Sequence, residues 1–123
     1  MSAESPLSIR ASTQLCAVIG NPVLHSLSPA MHNAAFHAAG LDYAYLAFTV
    51  SDLAGCLTGM RALEGFQGLS VTIPHKIAIL SYLDEIEESA LKIGSVNTVV
   101  KKDGKLLGTS TDGAGAFRAI ENA

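Results

Sequence analysis

Lys76 is the residue in this chain best placed for chemistry. It follows Gly68-Leu69-Ser70-Val71-Thr72-Ile73-Pro74-His75, a short apolar run that stops at a proline. Val71 and Ile73 are β-branched and suit a buried strand. Pro74 cannot continue a sheet ladder but fits the first position of a helix. Ile77, Ile79, Leu80 and Leu83 would give that helix an apolar side. Thr72 and Lys76 are thus expected at the C-terminal end of a strand and the N-terminus of the next helix. Ligands bind there in open α/β sheets. A lysine near the positive end of a helix dipole is suited to acid–base work, unlike one on a solvated face. The plain alternative is a solvated charge in a first helical turn. His75 adds a second titratable group, with a packing or surface histidine as its plain alternative.

Three further sets could act with it. Ser26 and Ser28 precede Pro29 and a helix whose free N–H groups point toward them, a combination apt for a carboxylate. Capping by Ser28 alone is the simpler account. Asp112 follows a strand and precedes a helix, so spacing alone makes it an N-cap. In the functional reading, it stands at the same sheet edge as Lys76 and exchanges a proton with an alcohol or ketone oxygen. Asn97 opens a strand, where a polar residue needs no function.

The elements that must position these residues alternate. Leu15 to Ile19 reads as a central strand closed by Gly20-Asn21-Pro22. Ser28-Pro29 starts a helix with Met31, Ala34, Ala35 and Ala38 at helical spacing, stopping at Gly40. Tyr43 to Val50 is strand-like. Ser51 is the expected cap of a helix carrying Leu53, Leu57, Met60 and Leu63 on one stripe and ended by Gly65. After the Lys76 segment come a short helix from about Glu87 to Ile93, ended by Gly94, and a strand from Val96 to Val100. Lys102-Asp103-Gly104-Lys105 is a type I′ hairpin signal. Leu106 to Gly108 begins the return strand, and a last helix runs from about Ala114. The expected fold is α/β: a three-layer sandwich with a mostly parallel mixed sheet covered by helices on both faces. Residues 1–14 read as a loose N-terminal tail and residues 15–123 as one domain.

Composition narrows the partners. Of 123 residues, 49% are apolar, enough for a sizeable core. The net charge is -3, with only eight Lys plus Arg and no basic run, which argues against nucleic acid. No apolar stretch approaches the roughly 20 residues that span a bilayer, and the start lacks the apolar core of a signal peptide. Cys16 and Cys56 read as buried free thiols, and a cytoplasmic location follows. No metal-binding motif is present. Gly113-Ala114-Gly115 imitates a dinucleotide fingerprint, but Arg118 occupies the place of its third glycine.

Four motifs in order resemble one family. Ile19-Gly20-Asn21-Pro22, His25-Ser26-Leu27-Ser28-Pro29 and His32-Asn33 look like the opening motif of shikimate dehydrogenases. Ser70-Val71-Thr72-Ile73-Pro74-His75-Lys76 resembles their catalytic lysine motif. Gly94-Ser95-Val96-Asn97-Thr98 and Thr111-Asp112-Gly113 resemble the next two. The match covers about Leu15 to Phe117. It implies an enzyme that reduces 3-dehydroshikimate to shikimate with NADPH, in aromatic amino-acid and chorismate biosynthesis. Ser26 and Ser28 would hold the substrate carboxylate. Thr72, Asn97 and Asp112 would bind ring hydroxyls, and Lys76 with Asp112 would be the catalytic pair. Ser70 and Ser110 stand where many members carry asparagine, which bears on polyol preference.

The resemblance covers only a substrate-binding domain. The family's NADP-binding domain is expected to follow it and has no counterpart in these residues, so no turnover is expected of the chain by itself. A homodimer is one expected assembly. The competing readings are a quinate/shikimate dehydrogenase of broader specificity and a non-catalytic module that binds a small hydroxy acid.

Overall fold

A computed structural model describes residues 8–111 of the chain. The elements run β1 (Gln14–Gly20), α1 (Ser28–Ala38), β2 (Tyr43–Thr49), α2 (Leu53–Ala62), β3 (Phe66–Val71), a 3-10 helix (Ala78–Tyr82), β4 (Glu85–Ile86), α3 (Glu88–Ile93), β5 (Thr98–Lys102) and β6 (Lys105–Thr109). The six strands form one sheet in the order β2-β1-β3-β5-β6-β4. β1 pairs in parallel with both β2 and β3, and β4 pairs in parallel with β6. Among the described strands only β5 runs against its neighbours. The sheet is therefore mixed and mostly parallel.

Alternation along β1 divides the interior. Ala17 and Ile19 join Leu53, Leu57, Met60, Leu69, Val71, Ile79 and Val99 in the larger core. Val18 faces the other way, with Val23, Tyr45 and the partly buried Phe36. The chain leaves β1 through α1 to reach β2 on one side, then returns through α2 to β3 on the other. Right-handed crossovers in opposite directions put the two helices on opposite faces. They also leave a crevice beyond the carboxyl ends of β1 and β3, the switch point where α/β sheets bind ligands.

Several local expectations need correction. α1 does not bury its Met31–Ala35–Ala38 side: Met31 is exposed, and no residue of the helix is fully buried. The helix is instead held by Asn33, whose amide donates to Tyr45 O (2.9 Å) and accepts from Tyr45 N (2.8 Å). The cap of α2 is Asp52 rather than Ser51, its carboxylate accepting from Gly55 N at 2.9 Å. Leu53, Leu57 and Met60 form the buried stripe, but Leu63 lies past the helix end and is exposed. β5 begins at Thr98, two residues later than the apolar run.

Other features follow the chain's punctuation. Gly94 ends α3 in the left-handed region (φ 81°). Asp103 (φ 52°) and Gly104 (φ 78°) make the hairpin turn between β5 and β6. Of the tail expected over residues 1–14, residues 8–13 form a turn tied to Asp42, which accepts from Ser12 Oγ and Thr13 Oγ1, both at 2.6 Å. The helix expected from Ala114 lies outside the described residues. Cys16 and Cys56 are free and half-buried. Among the described residues no helix is long and apolar enough to cross a membrane.

Candidate functional site

The site is assembled where β1 ends. Gly20 lets the next segment come close: a Cβ there would collide with Thr72 Cγ2 and press on Ile73 O. With that space open, Thr72 N donates to Ile19 O (3.0 Å) and Asn21 N to Ile73 O (3.0 Å). Thr72 is thereby fixed beside the β1–α1 loop. Within that loop Val23 is buried and accepts from Ser26 N at 3.1 Å. Ser26 Oγ accepts from Ser28 N at 3.1 Å. Ser28 is the first residue of α1, not its cap, and Leu27 precedes it without a side-chain cap. Ser26 thus satisfies a free N–H of the helix start and keeps its own hydroxyl proton to donate elsewhere.

The segment after β3 differs from expectation. No α-helix starts at Pro74. Thr72 O accepts from His75 N (3.0 Å) in a turn, and only a five-residue 3-10 helix follows, from Ala78. The Ile73–Pro74 peptide bond is cis. Lys76 therefore owes its position to this turn and not to a helix dipole. Its carbonyl accepts from Val96 N (2.8 Å), which ties the turn to the segment entering β5. Ile77 is exposed, whereas Ile79 is buried in the core. His75 is buried, with Nε2 2.6 Å from Val50 O, and acts as packing beneath the turn.

Asn97 forms the third wall. Its Nδ2 donates to Thr111 Oγ1 (2.8 Å), and its Oδ1 accepts from Thr111 N (3.1 Å) and Thr98 Oγ1 (2.9 Å). Two bonds to Thr111 hold the chain leaving β6 against the site. Asp112 comes next and lies outside the described residues.

Ser26, Ser28, Thr72, Lys76 and Asn97 are each half-buried and line a single open cleft of about 550 Å³. Val18, Pro22, Val23, His25, Ser70, Val71, Thr98 and Thr111 complete its lining. The cleft combines an apolar floor, several hydroxyls, one amide and one cation. That set suits a small anion bearing hydroxyl groups, because hydroxyls and an ammonium donate to a carboxylate while the amide can both donate and accept. A second cavity of about 700 Å³ lies along β4–β6, but on its wall Glu85 and Glu87 outnumber Lys102, which disfavours an anion.

Sequence reasoning missed Tyr45 as part of this arrangement. It is buried on β2, and its hydroxyl lies 2.6 Å from Ser70 Oγ on β3. Burial pushes its phenol above the ordinary value, outweighing the opposing hydrogen bond with Ser70. Periodicity marks Tyr45 only as strand core, and nothing in spacing shows that its ring crosses β1.

The described residues do not fit a dinucleotide. The β1–α1 loop contains no glycine between Asn21 and Ser28, and the start of α2 carries the Asp52 carboxylate. A pyrophosphate needs close backbone approach and donors there, not a fixed negative charge.

Comparison with known proteins agrees with this architecture. Residues 18–99 match the family model described as the shikimate dehydrogenase substrate binding domain. The shikimate dehydrogenase (NADP(+)) of Moorella thermoacetica is 53% identical over 119 residues, covering 95% of this chain and 40% of that protein. A crystal structure of a shikimate dehydrogenase in complex with NADP+ superposes with a TM-score of 0.85 at 51% identity, over 94% of this chain and 41% of the other. The shikimate 5-dehydrogenase of Listeria monocytogenes, in complex with shikimate and NAD, gives 0.83 at 46% identity, over 93% and 40%. The chain spans about 40% of the length of these relatives.

Proposed function

Because the chain belongs to the shikimate dehydrogenase substrate-binding domain family, we propose that it is the substrate-binding domain of an enzyme that reversibly reduces 3-dehydroshikimate to shikimate with NADPH. The observation that carries this reading is the convergence of Ser26, Ser28, Thr72, Lys76 and Asn97 on one cleft. Ser26 and Ser28 hold the substrate carboxylate through their hydroxyls, beside the positive end of α1. Thr72, Asn97 and Asp112 take the ring hydroxyls.

Lys76 and Asp112 supply the proton half of the reaction. Reduction of a ketone places negative charge on its oxygen, and an ammonium close by stabilises that charge and gives up a proton. The carboxylate of Asp112 holds the same oxygen's hydroxyl in the reverse direction. NADP is the cofactor in this reading, as named for the Moorella thermoacetica relative and bound in one of the similar crystal structures. Residues 8–111 do not fit it, so its site belongs to another part of the enzyme. The pathway that follows is aromatic amino-acid and chorismate biosynthesis, and two free thiols support a reducing, cytoplasmic setting.

Isothermal calorimetry tests the carboxylate assignment. Shikimate binds the chain, and Ser26→Ala and Ser28→Ala each weaken it by about tenfold or more, the value of a hydrogen bond to a charged group. Failure of shikimate to bind, or unchanged binding by both variants, overturns the reading.

A further inference from the structure

Thr98 opens β5, where a β-branched residue suits a strand and valine would serve equally well. Its hydroxyl is what needs an account. Val99 points into the larger core, so alternation turns Thr98 to the opposite face, directly across from Ser70 on β3. Both residues line the cleft. Thr98 is half-buried, and its Oγ1 lies 2.9 Å from Asn97 Oδ1.

The hydrogen bonds of Asn97 fix the direction of that contact. Thr111 N can only donate, and it lies 3.1 Å from Asn97 Oδ1. This settles which end of the amide is the carbonyl. A carbonyl oxygen only accepts, so Thr98 Oγ1 donates to it. Thr98 and Thr111 together fill both lone pairs of Oδ1. At the other end, Nδ2 donates to Thr111 Oγ1 at 2.8 Å. Toward a ligand, then, Asn97 acts as a donor and not as an acceptor. Thr98 is the converse: its proton is spent on Asn97, and lone pairs are what it offers to the cleft. A donor and an acceptor side by side match a hydroxyl group, which accepts one hydrogen bond and gives another. They do not match a carboxylate or a ketone, which has no proton to give Thr98.

We propose that Thr98 is a specificity-determining residue: Asn97 donates to the oxygen of one ring hydroxyl of the ligand, and Thr98 accepts its proton. This rests on the reading of the cleft as a shikimate site. It also restricts which hydroxyl is held. A ketone in that place would set its lone pairs against those of Thr98, so the held hydroxyl is one that the reaction leaves unoxidised.

Calorimetry tests this with Thr98→Val, which keeps the shape and strand preference but loses the hydroxyl, and with Thr98→Ser, which keeps the hydroxyl. Thr98→Val weakens shikimate binding by about fivefold to tenfold, the value of one well-placed hydrogen bond, and Thr98→Ser by less than about twofold. Binding of 3-dehydroshikimate falls by the same factor, because the held hydroxyl is present in both ligands. The comparison is then repeated with shikimate analogues that each lack one ring hydroxyl. Thr98→Val costs nothing further for the analogue that lacks the held hydroxyl, and keeps its full cost for the others, including the one that lacks the oxidised position. A merely structural role would move every ligand alike. Equal losses across the analogues, equal losses for the valine and serine variants, or no loss at all each overturn the proposal. NMR of the unsubstituted chain gives a reading that needs no variant. One side-chain amide proton of Asn97 moves downfield as shikimate saturates the chain, and stays in place with the analogue lacking the held hydroxyl. An amide that moves with every analogue, or with none, overturns the proposal independently. Failure of shikimate to bind the unsubstituted chain sinks the functional reading and this inference with it, whereas the other failures leave that reading standing.

Discussion

At the scale of residues, the site is made by short side chains whose positions depend on backbone contacts nearby. Thr72 reaches the cleft because Gly20 lets its turn close against β1. Gly20→Ala should cost about 1–3 kcal/mol, since a β-branched side chain and a carbonyl would both have to move. Urea unfolding measures this, and the same variant should bind shikimate more weakly because Thr72 is displaced. Lys76 carries a different prediction. In the full-length enzyme that the proposed function implies, Lys76→Met should lower kcat by about a hundredfold or more, the usual worth of a positioned acid. Shikimate affinity should fall much less. Equal losses in kcat and affinity would make Lys76 a binding residue only.

These residues were unequally legible. Ser26, Ser28, Thr72, Lys76 and Asn97 stand at strand ends and helix starts, which apolar runs and glycine or proline breaks mark well. His75 was ambiguous as a titratable group, and its buried bond to Val50 O makes it packing. Tyr45 was hidden because its contact with Ser70 joins strands separated by β1, and no local pattern encodes such a reach.

At the scale of elements, periodicity located the helices and strands better than it chose their ends and faces. Its failure after Pro74 has a physical cause. The turn at Thr72–His75 and the bond from Val96 N to Lys76 O take the backbone groups that a first helical turn would use. α1 misled for another reason: its alanines mark helix propensity, while the contact with the sheet is made by the polar Asn33 and by Phe36. Lys101, a strand residue without any obvious role, caps α2 from outside. Its Nζ donates to Met60 O (2.9 Å) and Leu63 O (2.7 Å). Lys101→Met should therefore destabilise the fold by about 1 kcal/mol, read by urea unfolding. An unchanged midpoint would show that water replaces both bonds without cost.

At the scale of the molecule, the mixed sheet with opposed crossovers follows from the alternation of strands and helices. The two-residue β4 and the exact strand order do not, because pairing between distant strands leaves little local trace. Asp84 fastens that far edge. It accepts from Leu106 N (2.7 Å) and from Arg61 Nη1 (2.7 Å), and these bonds hold its carboxyl below the ordinary 3.8. Asp42 is lowered likewise by Ser12 and Thr13. A depressed carboxyl adds stability above its unfolded-state value and loses it as pH falls through the folded one. Stability should therefore decline below about pH 4. Asp84→Asn, which keeps an acceptor but cannot titrate, should decline less steeply. Urea midpoints across pH 3–7 check this, and identical slopes would contradict it.

The central claim is that one cleft at the ends of β1 and β3 receives a hydroxylated carboxylate. Amide NMR of the chain during a shikimate titration tests it most directly. Shifts should concentrate at Ser26, Ser28, Thr72, Lys76 and Asn97 and saturate together. No shift at millimolar shikimate, or shifts gathered instead along Glu85–Glu87 and Leu107–Thr109, would contradict it.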